Sequence, residues 1–323
     1  MRSRWLRQLA GRVLALTSTA VIAAACGRSP APSAAGGAGT PAVGGFPRTV
    51  TDGSGRSLRL AARPVRIVSQ TLGSDEILFP MVAPERLVGL SALARDPKYS
   101  NVLAEATRHP APSIESPEDM LRLKPDLIFV ATYSRAESVQ VLESTGAPVY
   151  RLANFDDLEG IMASIRGVGA AVGEEAAAAR MIEDMRRRLA AVAARRAGKP
   201  RPRVLSYSGG FTAGRGTTFD DMVRRAGGLN EAAVRGVEKF PRLSEEQVLA
   251  WNPDVLVAGY LPGEEDAVRR RLTTGAGVGQ TTAARRNQIV LIPTPRYLAV
   301  SQHVVDAVEQ LAASFDAFQA QPR

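Results

Sequence analysis

Cysteine and histidine are almost absent: the 323-residue chain has one Cys and two His, and aromatic residues make up only 5%. One cysteine excludes an internal disulfide framework. His109 and His303, one in each half, leave no histidine cluster of the kind that holds bare Zn²⁺ or Mn²⁺, so no metal ligands are expected. Lysine is scarce too, with four among the 41 basic residues, and the excess of Arg beside many Ala and Gly reflects GC-rich coding. The formal charge of +9 is therefore a weak nucleic-acid signal, and no basic patch is interleaved with aromatics, so no nucleic-acid partner is expected. Phosphate-loop chemistry is missing, since Gly209 to Gly216 lacks the Lys-Ser/Thr that must follow the second glycine. Gly275-Ala-Gly277-Val-Gly279 lacks the dinucleotide spacing. No nucleophile, base and orienter are tied together, and the adjacent Asp220 and Asp221 would point apart on a helix. The chain is expected to be no enzyme and to carry no cofactor.

The first 25 residues read as a targeting segment. Arg2, Arg4, Arg7 and Arg12 precede the apolar run Val13 to Ala25, with no acid among them. The run is too short for a confident membrane span and has the shape of a signal peptide. Small residues directly before Cys26 resemble a bacterial lipobox, which implies lipidation of Cys26 and a membrane anchor. Residues 26–45 are rich in Gly, Pro, Ala and Ser, cannot bury a core, and read as a flexible tether. The expected location is the periplasm or the outer cell surface.

From Arg66 onward, short apolar runs alternate with helical stretches: Arg66–Ser69, Leu87–Leu90, Leu127–Ala131 and Val149–Leu152, with a helix over Asp75–Val82. That pattern predicts a parallel sheet with helices on its faces. Glu174 to Arg196 has no Gly or Pro, and Ala178, Met181, Ile182, Met185, Leu189 and Val192 form one apolar stripe, so it predicts a long helix. The pattern then restarts with Arg203–Ser206, a helix from Asp220 to Ala226, Val255–Ala258 and Ile289–Ile292. Ser116-Pro-Glu118-Asp-Met-Leu121-Arg-Leu-Lys-Pro125-Asp126 lies over Ser244-Glu-Glu246-Gln-Val-Leu249-Ala-Trp-Asn-Pro253-Asp254 without a gap. A repeat of this length marks duplicated α/β units rather than a solenoid. The expected layout is an N-terminal lobe over 46–155, a helical connector over 156–198 and a C-terminal lobe over 199–323. Ligands of open α/β sheets bind beyond the carboxyl ends of the strands, so the expected site is a cleft between the lobes.

Arg66-Ile-Val-Ser69, Asp75-Glu76-Ile77-Leu78, Arg86-Leu87-Val88-Gly89, Leu123 to Ile128 and Gly227-Gly228 resemble the periplasmic-binding-protein family for iron–siderophore complexes, haem and cobalamin. The resemblance runs from about Phe46 to the C-terminus. It implies two Rossmann-like lobes on one rigid helix, with little hinge closure. It also implies a monomer that hands its ligand to an ABC permease dimer driven by a cytoplasmic ATPase. Ser116 with Asp119 and Ser244 with Gln247 fit capping boxes, which accounts for an acid in each first turn. Glutamate at the same place in both copies goes further, and the resemblance makes Glu118 and Glu246 the pair that meets permease arginines.

Ligand candidates follow strand ends: Tyr133 and Arg135, Phe211 and Arg215, Arg296 and Tyr297, with Tyr99 in a loop after Gly89. Arginine suits carboxylate or catecholate oxygens, and aromatics offer flat apolar faces to a bulky chelate. His303 reads as a surface or cap residue rather than a haem ligand. The absence of an aromatic near Leu93 places ferric siderophores ahead of cobalamin and haem as cargo. A sensing receptor on the same lobes is the alternative from outside transport.

Overall fold

A computed structural model describes residues 45–320. The expected leader, Cys26 and the tether up to residue 44 lie outside the described residues. Among the described residues, no helix is long and apolar enough to cross a membrane.

An antiparallel hairpin comes first, β1 (Arg48–Thr51) with β2 (Ser57–Leu60). It was not expected from the sequence, because Arg48-Thr-Val-Thr51 and Ser57-Leu-Arg-Leu60 contain no unbroken apolar run. Its turn is closed by Asp52, whose Oδ1 accepts from the backbone N of Ser54 (2.9 Å) and of Arg56 (3.0 Å).

The first sheet holds β3 (Ile67–Ser69), β4 (Leu87–Ser91), β5 (Ser113–Ile114), β6 (Leu127–Ala131) and β7 (Val149–Leu152). Its order is β5-β4-β3-β6-β7, and every pair is parallel. The second sheet holds β8 (Arg203–Ser206), β9 (Leu229–Asn230), β10 (Val255–Tyr260) and β11 (Ile289–Pro293). Its order is β11-β10-β8-β9, again parallel throughout. Helices cover both faces, which is why β6 is buried at every residue and reads as an unbroken apolar run. Two helices start earlier than their apolar pattern suggests, because a threonine caps each. Thr71 opens Leu72–Leu78 and Thr217 opens Thr218–Arg225, each accepting from the backbone N three residues on.

The internal repeat is a repeat of backbone construction. Ser116 and Ser244 each close a capping box on the helices Pro117–Arg122 and Glu245–Trp251. Past each helix the chain turns through a left-handed residue, Lys124 (φ 48°) or Asn252 (φ 45°). Asp126 then accepts from the backbone N of Arg66 (2.9 Å), and Asp254 from that of Arg203 (2.8 Å). The guanidinium of Arg66 returns to the carbonyl of Leu123 (2.6 Å), and that of Arg203 to Asn252 (2.6 Å). Each arginine thus satisfies carbonyls left free at a helix end, and each aspartate registers the next strand against its neighbour.

Helix Leu158–Val172 leads to Gly173, whose φ of 74° ends it, and the connecting helix Glu175–Arg196 follows. At 22 residues it runs ~33 Å. Ala178, Ile182, Met185, Leu189 and Val192 are buried, and each large aliphatic side chain contributes about 1.5–3 kcal/mol when fully buried. Its first turn is tied to the N-terminal half: Glu174 takes Arg86 (2.6 Å) and Arg63 (2.5 Å), and Glu175 pairs with Arg48. Its second half is tied to the C-terminal helix Val304–Gln319. Arg188 reaches Glu309 (2.6 Å) and Asp306 (2.5 Å), and the buried Arg196 reaches Asp316 (2.7 Å). One hydrophobic core runs from Ile67 and Phe129 through Ile165 and Met185 to Val257 and Phe315. The lobes therefore share packing beneath the helices, and the connector is not a free hinge.

Candidate functional site

The carboxyl ends of both sheets face one cleft. After β8 the chain makes a tight turn, with Ser208 and Phe211 exchanging backbone hydrogen bonds of 3.1 and 3.0 Å. After β11 it makes a short helix, Thr294–Tyr297, and then the stretch Leu298 to Val300. Together with Phe219, Phe240 and Gly259 these segments enclose a cavity of about 390 Å³. A second cavity of about 170 Å³ lies between the lobes, walled by Leu72, Gly73, Glu76, Leu93, Tyr99 and Tyr133 on one side and Pro295 on the other. Leu298, Ala299 and Val300 border both, so the two spaces are halves of one cleft.

Nine large apolar side chains stay exposed among the described residues, and five of them line this cleft. These are Leu93, Tyr133, Phe211, Phe240 and Leu298, between 43% and 63% exposed. Convergence of exposed apolar surface on a concave site marks a binding surface. The aromatic walls are braced from behind. Phe219 and Tyr297 stand 6.0 Å apart between ring centres, and Tyr133 stands 5.7 Å from Phe155. Gly259 is required where the Tyr297 ring comes close, since a Cβ there would sit 2.7 Å from it. Burial pushes the Tyr297 phenol above its ordinary value, and a hydrogen bond with Ser206 pulls the other way.

Among the sequence candidates, Tyr99 and Tyr133 meet on one side of the cleft and Phe211 and Tyr297 on the other. The three arginines are not among the residues lining either cavity. Arg135 is exposed at the start of helix Ala136–Ser144. Arg215 is exposed, with its guanidinium 3.3 Å from the Ala233 carbonyl, and Arg296 lies 3.9 Å from Asp306. No basic side chain lines either cavity among the described residues. Phe219, Phe240, Leu298 and Glu76 line the cleft but were not singled out as ligand contacts from the sequence. Isolated apolar residues announce core or surface alike, and only the fold brings these together. In the sequence Glu76 stands out only within Asp75-Glu76-Ile77-Leu78, two acids directly before an apolar pair.

Glu76 forms the polar floor, and Asp75 beside it is not among the residues lining either cavity. Asp75 is fully buried, and burial pushes its carboxyl up to about 8, against hydrogen bonds from Ser69 and Ser91 that oppose the rise. Glu76 reaches across the lobes, accepting from Asn101 (2.9 Å to Nδ2) and from the Ser301 hydroxyl. Glu118 and Glu246 are exposed, and neither has an ion-pair partner among the described residues. Each occupies the second position of a helix that runs opposite to a parallel strand, which puts it on the cleft side of its sheet. His109 is structural, with Nε2 3.0 Å from the Pro84 carbonyl and its ring edge-on to Phe79, and His303 sits at the N-cap position of the C-terminal helix without a capping bond from its side chain.

A family model described as periplasmic binding protein matches residues 67–295. The chain is 28% identical over 280 residues to a cobalamin-binding protein of Halobacterium salinarum, covering 84% of this chain and 74% of that one. It is 22% identical over 280 residues to an ABC transporter substrate-binding lipoprotein, YvrC, of Bacillus subtilis, covering 83% of this chain and 85% of that one. Among solved structures it is similar to the periplasmic heme-binding protein RhuT of Roseiflexus sp. RS-1, with a TM-score of 0.67 and 29% identity over 79% of this chain and 99% of that one.

Proposed function

We propose that this chain, which belongs to the periplasmic binding protein family, is the lipid-anchored receptor of an ABC importer and that its cargo is a corrinoid such as cobalamin. The observation that carries the cargo is the lining of the cleft: aromatic and aliphatic faces, hydroxyls, the Glu76 carboxylate, and no basic side chain among the described residues. A flat metal macrocycle offers large apolar faces to such walls, and the amides around a corrin need no cation. Haem carries two propionates and ferric catecholates are anionic, so both would leave charge unpaired here. A neutral hydroxamate chelate such as ferrichrome lacks the flat apolar faces of a macrocycle. The sequence expectation put siderophores first for want of an aromatic near Leu93. In the structure, aromatic faces enter from Phe211, Phe219, Phe240 and Tyr297 instead. The name of the Halobacterium relative points the same way, and that of the Bacillus relative supports anchoring at Cys26.

In this reading residues 1–25 are removed, 26–45 tether the receptor, and the lobes over 46–155 and 199–323 hold the ligand about the connector 156–198. Glu118 and Glu246 would then dock the lobes on the permease. The test is calorimetric titration of the chain from Phe46 onward with cyanocobalamin, haemin and ferrichrome. Trp251 is not among the cleft residues, so heat is a safer signal than fluorescence. Saturable binding of cyanocobalamin at about micromolar strength or tighter, with haemin and ferrichrome weaker, is the expected result. Preference for ferrichrome or haemin would reassign the cargo and keep the transport role.

A further inference from the structure

We infer that Glu76 is a specificity-determining residue of the cleft, which turns away ligands that bring a carboxylate to its inter-lobe end. The inference rests on the macrocycle reading above and goes beyond it by naming the residue that selects. Glu76 is 1% exposed, yet it lines the cavity between the lobes, beside Tyr99 and Tyr133. One carboxylate oxygen accepts from the backbone N of Asn101 (3.2 Å) and from its Nδ2 (2.9 Å), and the other accepts from the Ser301 hydroxyl. Asn101 Nδ2 also donates to the Pro295 carbonyl (2.8 Å), and Gln302 Nε2 to the Glu76 carbonyl (2.8 Å), so the group is fixed from both lobes.

A carboxylate has about four lone-pair sites, and three donors are in place here. What remains is acceptor capacity, which suits an amide or hydroxyl donor on a ligand and opposes a second carboxylate. No basic side chain lines the cavity among the described residues to offset that opposition. In an apolar pocket, two like charges several ångströms apart repel enough to cost about tenfold or more in affinity.

The experiment compares matched pairs on two scaffolds: cyanocobalamin against its monocarboxylic acids, and haemin dimethyl ester against haemin. Each is titrated by calorimetry into the wild type and into Glu76→Gln, whose amide keeps the shape and can still bond Asn101 and Ser301. The wild type should bind the neutral member about tenfold or more tightly than at least one acid counterpart, and Glu76→Gln should narrow that gap to within about threefold. Equal wild-type affinity for acid and neutral members would overturn the inference, as would a gap that survives in Glu76→Gln. The wild-type comparison stands even if the variant folds poorly. Failure of both scaffolds to bind at all would remove the macrocycle reading, and this inference with it, a result distinct from equal affinity.

Discussion

Asp75 and Glu76 are neighbours on one short helix, yet their surroundings differ. Glu76 meets three donors contributed by both lobes, whereas Asp75 is enclosed in the first lobe with Ser69 and Ser91. Burial raises the Asp75 carboxyl from 3.8 to about 8, so the native protein keeps a proton that the unfolded chain gives up from about pH 4. The native state then binds more protons than the unfolded one, and stability falls as pH rises between those limits. The full penalty is present above about pH 8 and absent below about pH 4. Asp75→Asn removes the titration and keeps the shape. Its melting temperature relative to wild type should therefore climb steadily from pH 5 to pH 8, as followed by circular dichroism. A difference that stays flat across that range would show that Asp75 ionises normally in the fold. The sequence displayed this pair only as two adjacent acids before Ile77-Leu78, because the bonds that distinguish them come from residues up to 225 positions away.

Elements were far easier to read than sites. β6, β7 and β8 have the bounds that their apolar runs suggested, and the connecting helix differs by one residue, Glu174, which serves as its N-cap. These stretches combine a strong periodic pattern with clear punctuation, so local chemistry decides them. β5 and β9 have two residues each, too few to display any period, and exist because a neighbouring strand offers its edge. The cleft was legible as a place, from the carboxyl ends of parallel strands, but Phe240 and Leu298 have no local signature. The arginines of the connecting helix show the same limit. Arg187 and Arg188 look alike in sequence, but among the described residues Arg187 pairs only with Asp184 on its own helix, while Arg188 grips Asp306 and Glu309 on the C-terminal helix. Arg188→Ala should cost about 1–3 kcal/mol in denaturant unfolding, since it strands two partly buried carboxylates. Arg187→Ala should stay within about 0.5 kcal/mol, as exposed pairs do. Equal effects would mean that the apolar stripe alone fastens this helix to the second lobe.

At the scale of the whole molecule, the repeat turns one local design into a two-point contact. The same capping box, left-handed turn and Asp-to-strand bond recur in both lobes, so Glu118 and Glu246 occupy equivalent helical positions on two bodies whose packing is shared. Ion pairs pin the connector at both ends, so the glutamates are carried on lobes joined by a packed helix rather than by a free linker. Two exposed charges carried in this way give orientation and a faster encounter more than raw affinity. If they dock the receptor on the permease, reversing both charges should leave the cleft untouched and stop delivery. Glu118→Arg with Glu246→Arg is expected to bind ligand within about threefold of wild type by calorimetry, since neither residue lines either half of the cleft. The same double variant should support no uptake in a strain lacking the wild-type receptor. Each single variant, keeping one contact, should slow uptake without abolishing it. Loss of ligand affinity in the double variant would place these glutamates in the binding site, and normal uptake would show that the permease recognises another surface.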